Sequence, residues 1–181
     1  DNLSRFIQTG ILSTNNVAVS ASGEKYDLRF SVSHNYQRGI VPNTKLNSTT
    51  FKITTGYNFS PRLRFEADVQ ANRQSTPNIP DVNYGPNSLI YNVIIWAGAD
   101  WNIDDMKNYW QPGKEGIQQN YAEYQRYNNP WFTVKEWQRG HYKTDVIGQT
   151  SLRYTIAPGF DATVRTQVST WNLLRNEKFP V

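Results

Sequence analysis

The stretch YDLRFSVSHNY, Tyr26 to Tyr36, alternates between apolar and polar side chains with almost no error. Tyr26, Leu28, Phe30, Val32 and Tyr36 share one face of an extended strand, and Asp27, Arg29, Ser31, Ser33 and Asn35 share the other, because successive side chains of a strand point to opposite sides. At ~3.3 Å per residue the stretch reaches ~36 Å, which at the ~45° tilt of a barrel strand crosses a bilayer core. The fold turns on whether the apolar face meets a protein core or lipid.

The same alternation recurs on both sides of this strand. Val17, Val19 and Ala21 precede it, and Ser22-Gly23-Glu24-Lys25 has the composition of a tight hairpin turn. After a polar connection from Gln37 to Asn47, Phe51, Ile53, Thr55, Tyr57 and Phe59 oppose Thr50, Lys52, Thr54, Gly56 and Asn58. Ser60-Pro61-Arg62 forms a turn, since proline cannot continue a ladder. Leu63, Phe65, Ala67, Val69 and Ala71 then oppose Arg64, Glu66, Asp68, Gln70 and Asn72. The pattern lapses from Arg73 and returns at Thr144, where Val146, Thr150, Leu152, Tyr154 and Ile156 oppose Asp145, Gln149, Ser151, Arg153 and Thr155. Past Ala157-Pro158-Gly159, Phe160, Ala162, Val164 and Val168 oppose Asp161, Thr163, Arg165 and Gln167. The spacing predicts strands over 16–21, 26–36, 49–59, 62–72, 144–156 and 160–170, with one long loop over 73–143.

Short connections alternate with long ones, so an up-and-down meander would gather the tight turns at one end and the long loops at the other, as outer-membrane barrels do. Charge follows parity as well. Arg29, Lys52, Arg64, Glu66, Asp68, Asp145, Arg153 and Arg165 all fall on the polar face, where a barrel lumen would receive them; an Arg or Lys facing lipid costs ~2–4 kcal/mol at the midplane. His34 on the apolar side and Ile147 on the polar side are the exceptions. Tyr26, Tyr57, Phe59, Tyr154 and Phe160 gather beside the short turns, as an interfacial girdle would. A soluble antiparallel sandwich shows the same alternation, but Thr55, Ala67, Ala71, Thr150 and Ala162 make the apolar face thin for a packed core.

Composition narrows the function classes. The chain has 181 residues, 38% hydrophobic and 14% aromatic, and no cysteine, which excludes a disulfide scaffold and a thiolate metal site. No run reaches the ~18 apolar residues of a transmembrane helix. The net charge of +4 is scattered, so nucleic acid is not an expected partner. Only His34 and His141 could act as imidazole bases, neither with a recognisable Ser or Cys partner, and no phosphate loop, H-E-x-x-H or EF-hand pattern occurs. No enzymatic activity, cofactor or metal is expected. Asp104 and Asp105 read as first-turn acids of a short helix capped by Asn102 and ended at Gly113.

The long loop is the place to look for binding. It holds Trp96, Trp101, Trp110, Trp131 and Trp137, together with Tyr84, Tyr91, Tyr109, Tyr121, Tyr124 and Tyr127. Such rings stack on sugars or dock a partner. They could equally form the loop's own small core, since LIYNVIIW, Leu89 to Trp96, is apolar enough to need burial.

Asn16 to Ser20, Ser22 to Lys25 and Gln37 to Thr44 (QRGIVPNT) resemble the opening barrel hairpin of SusC/RagA-type TonB-dependent outer-membrane transporters. Further likeness lies in Gly56-Tyr57-Asn58, in Asn102 to Asp105 with Asn108-Tyr109-Trp110, and in Asn129-Pro130-Trp131; Ala21 departs from the usual glycine. The resemblance implies an all-β antiparallel meander belonging to a barrel of about 22 strands around a plug, of which this chain carries the early strands without the plug. It also implies the outer membrane of a Gram-negative bacterium, uptake of a glycan or peptide, a SusD-like surface lipoprotein as partner, and a TonB complex engaged through segments outside this chain. The alternative is a soluble, secreted β-sandwich that binds carbohydrate through its Trp-rich loop.

Overall fold

The computed structural model describes residues 1–79, 84–85, 87–96, 101–123 and 126–180. Six strands form one antiparallel sheet in sequence order: β1 Ile11–Ser22, β2 Tyr26–Arg38, β3 Lys45–Ser60, β4 Leu63–Thr76, β5 Gln138–Ala157 and β6 Phe160–Lys178. Among the described residues β1 and β6 are its two edges. Among the described residues three short helices lie outside the sheet, α1 Asn2–Phe6, α2 Leu89–Ile94 and α3 Pro130–Lys135.

The register carries the sequence parity across the whole sheet. Val19, Phe30, Ile53, Val69, Gly148 and Val168 lie in one transverse row, and Ser22, Asp27, Gly56, Glu66, Ser151 and Arg165 in another. One face, called outward below, is therefore uncharged over its central rows, and the other, called inward, carries the ions. No second sheet covers the outward face among the described residues. Phe30, Ile53 and Leu152 stand 41%, 45% and 42% exposed, and no strand residue belongs to the buried hydrophobic core.

Successive hairpin turns are staggered. The first closes at the pair Ser22 and Asp27, whose row meets β4 at Glu66; the second closes three residues farther along β4, at Leu63. Leu63 pairs with Tyr154, and the third turn closes three residues beyond, at Ala157. Three residues over two strands is ~10 Å along for ~10 Å across, so the turns are level only if the strands tilt by ~45°, the slope of a barrel wall. At the third turn Gly159 adopts φ +77°, a left-handed conformation that glycine takes without a Cβ clash.

The strands outrun their sequence-predicted limits. β1 begins at Ile11, β4 continues to Thr76, β5 starts at Gln138 and β6 runs to Lys178, so the loop between β4 and β5 is shorter than 73–143. At these ends both faces are polar or mixed; the hydrophobic alternation stops while backbone pairing goes on. The extension puts Arg73 on the outward face, beyond the uncharged rows. His34, the outward exception, shares a 2.9 Å hydrogen bond between Nδ1 and Thr49 Oγ1. The helix expected after Asn102 is a single 3-10 turn, Asp105–Lys107; Asn102 Oδ1 accepts the Asp104 N–H at 3.2 Å. Gly113, at φ +75°, belongs to a later turn and ends no helix.

Candidate functional site: an ionic wall beneath an aromatic cap

The inward wall is laced with ion pairs. Arg64 donates from Nη2 to Asp27 Oδ1 at 2.7 Å, from Nε to Glu66 at 2.9 Å and from Nη1 to Asn58 at 3.1 Å. Lys52 pairs with Asp68 at 2.9 Å, and Thr54 donates to the same carboxylate. Asp145 meets Lys143 at 3.3 Å and accepts from Asn72. Arg29 donates to Ser20 Oγ. Arg153 and Arg165 face the same way from β5 and β6, and Arg165 lines a cavity of about 220 Å³ with Asp27, Arg64, Glu66 and Asp68. Of the eight expected inward charges, Arg29, Arg153 and Arg165 make no salt bridge among the described residues.

Above the sheet, the loop between β4 and β5 folds into a cap with its own core. Phe6 of α1, Leu89, Val93, Ile103, Trp131 and Val134 are buried together, with Leu3, Val41, Trp101, Met106 and Tyr109 packed against them. Asn129 is its polar keystone. Its side chain accepts the Trp131 N–H at 2.9 Å and donates to the carbonyls of Met106 and Asn120 at 3.0 Å, while Pro130 supplies the fixed φ of the first helical position. Ionic contacts from Arg5 and Lys107 to Asp104 join α1 to the cap, and they hold the Asp104 carboxyl below its usual range, Lys107 first among the causes.

The five loop tryptophans and Tyr109, the rings first expected to bind, do not form one site. Trp131 is core: its ring meets Phe6 edge-on at 4.9 Å, and its indole N–H donates to the Ile103 carbonyl at 2.9 Å. Trp101 is half-buried against that core. Trp96 stacks on Tyr127 at 4.3 Å, and Trp137 is tied to the end of β6 by a hydrogen bond to Glu177 and a ring contact with Phe179. Tyr109 and Trp110 remain together, 5.5 Å apart. Phe132 buttresses the Trp110 ring edge-on, and a cavity of about 410 Å³ lies beside them, lined also by Lys107, Asn108, Pro112 and Glu115. Tyr109 donates to Glu136 at 2.8 Å, and burial first, then that carboxylate, push its hydroxyl up to about 12. Tyr124 lies outside the described residues.

A third opening, of about 520 Å³, sits between wall and cap, where Ile40, Val41, Leu46 and Ile79 meet Gln37 and Gln74. Sequence reading missed this opening, the role of Phe6 and the keystone Asn129. The Asn-Pro pair was the available sign of the last, since Asn at an N-cap before Pro at N1 marks a helix start. No group of His, Cys, Asp and Glu able to hold a metal occurs among the described residues. No protein-family model matches the chain, and no curated protein matches it by sequence.

Proposed function

We propose that this sheet is part of the wall of an outer-membrane barrel, of the SusC/RagA TonB-dependent importer kind, that takes up glycans or peptides. The observation that carries the reading is the outward face. Its uncharged belt, five inter-strand spacings wide and about ten residues long, spans on the order of 800 Å² of sheet, and among the described residues its large apolar side chains, Phe30, Phe51, Ile53, Val69, Leu152 and Val168 among them, stand exposed with no second sheet over them. In hydrocarbon the same face is in its preferred solvent. The ~45° tilt implied by the turn stagger supports a barrel, as do outward aromatics at both ends of the belt: Tyr26 and Tyr36 on β2, Tyr154 and Tyr142 on β5.

In this reading the inward ions face an aqueous lumen or a plug, and Arg29 and Arg165 are among the cations that could meet an anionic group there. The cap with Tyr109 and Trp110 stands at the long-loop end, where a SusD-like lipoprotein would dock and a substrate would first arrive. Energy would come from a TonB complex through segments beyond this chain. The reaction is transport, with no covalent step assigned.

The absence of cysteine makes the test direct. Single cysteines at Phe30, Ile53 and Leu152, labelled with a polarity-sensitive dye in the reconstituted protein, should report hydrocarbon and be quenched by brominated lipid. Cysteines at Ser31, Thr54 and Arg153 should report water. Equal, water-like signals from both sets, in a protein monodisperse without detergent, overturn the proposal.

A further inference from the structure

Charge on the outward face is segregated by sign and by end. No Asp or Glu holds an outward position on any of the six strands, and the rim beside the short turns has no outward cation. At the long-loop end three neighbouring strands each present one: Arg38 on β2, Lys45 on β3 and Arg73 on β4. Arg38 and Lys45 are direct cross-strand partners, and Arg73 pairs with Thr49, four residues along β3 from Lys45. Measured along the strands they look scattered. With the strands tilted so that the hairpin turns are level, the three fall within ~6 Å of one height, with Arg38 and Lys45 side by side and the Arg73 backbone ~14–16 Å from theirs. That height is ~28 Å from the turns, just past the apolar band of a barrel.

None of the three has a carboxylate partner among the described residues. Arg38 is anchored by one hydrogen bond, from Nη2 to the Thr9 carbonyl at 3.1 Å, and its Nε is buried without a partner. The inward wall shows the contrast, since there most ions are paired with opposite charge. Like charges on adjacent strands repel and are destabilising unless something neutralises them. Lys178, also outward, stands well above this cluster and is no part of it.

We propose that Arg38, Lys45 and Arg73 bind the phosphate groups of an anionic lipid headgroup in the leaflet at the long-loop end, the Arg38–Lys45 pair holding one phosphate and Arg73 its neighbour. The inference rests on the bilayer reading of the outward face. Guanidinium groups bind phosphate oxygens in bidentate fashion and lysine adds a point charge. Headgroup phosphates also lie at the depth where these side chains emerge from the apolar belt. The site fixes which leaflet the cap faces.

The test uses the intact protein in neutral maltoside micelles, with diphosphoryl lipid A, enzymatically dephosphorylated lipid A and inorganic phosphate as probes in native mass spectrometry. The unsubstituted protein should retain the phosphorylated lipid at least tenfold better than the dephosphorylated one. At roughly a factor of five per cation, the triple variant R38Q/K45Q/R73Q should lose ~100-fold. The double variant K45Q/R73Q leaves the Arg38–Thr9 contact in place and should lose ~25-fold on the same basis, which guards against a triple variant that misfolds. Equal retention of both lipids, inorganic phosphate binding as tightly as the lipid, or an undiminished double variant each overturn the lipid site while leaving the barrel reading standing. A protein that takes up no micelle fails the barrel reading itself.

Discussion

Arg64 and Asp27 meet at 2.7 Å across the bare backbone of Gly56. Gly56 lies between them in the sheet, on β3, and points to the inward side, where a Cβ would fall 2.2 Å from Arg64 Nη2 and 2.6 Å from Asp27 Oδ1. A strand glycine that weakens its own strand thus makes room for an ion pair spanning three strands, with Glu66 held on the same guanidinium. Gly56→Ala should break the bridge and cost about 1 kcal/mol, the upper end for a partly exposed pair. Asp27→Asn in the Gly56→Ala background should then add little. Urea unfolding of the reconstituted protein checks both, and additive losses would mean the two residues do not act through one bridge.

Removing Asn129 should loosen the cap and spare the sheet. Asn129→Ala leaves one N–H and two carbonyls without the partners they have now, at ~1–3 kcal/mol for each group that stays buried. Hydrogen exchange should quicken across residues 101–123 and 126–135 with β2 to β5 unchanged. If exchange in the strands rises equally, the cap is not an independent unit.

Alkaline pH should act on the cap through Tyr109. Its hydroxyl is raised to about 12 by burial and by Glu136, so folding favours the neutral form. The resulting stabilisation is complete below the unfolded tyrosine value near ~10 and is lost as pH rises toward about 12. Tryptophan emission from Trp110 and Trp131 should shift over that interval, and Tyr109→Phe should abolish the Tyr109 component. Asp104 works in the opposite sense: its lowered carboxyl stabilises above the ordinary aspartate range and ceases to do so as pH falls through its folded value.

The sheet was legible in the sequence wherever its two faces differ. From Tyr26 to Val32 and from Leu63 to Ala71 alternation gives strand and sidedness at once, and it fixes the parity of the pairing but not the register, in which Phe30 meets Ile53. Where apolar and polar residues are mixed on both faces, as over Ile11 to Asn16 and Trp171 to Lys178, the strand persists with no periodic signal, because the ladder is held by backbone groups that every residue carries. The cap was legible only as a cluster of rings. Which ring is core depends on contacts distant in sequence, such as Phe6 with Trp131, and no local spacing encodes those.

A charge placed on each face separates lipid from any other surrounding. Ile53 is outward and lies near the middle of the belt once the turns are level; Thr54, next in sequence, is inward. In a bilayer Ile53→Arg should cost ~2–4 kcal/mol, the penalty for a lipid-facing arginine at the midplane, whereas a lumen-facing Thr54→Arg should cost little. In water the order reverses in solubility, since Ile53→Arg interrupts an exposed apolar patch and should reduce aggregation. Reversible unfolding in liposomes gives the first pair of numbers. An Ile53→Arg protein as stable there as Thr54→Arg would show that no hydrocarbon touches this face.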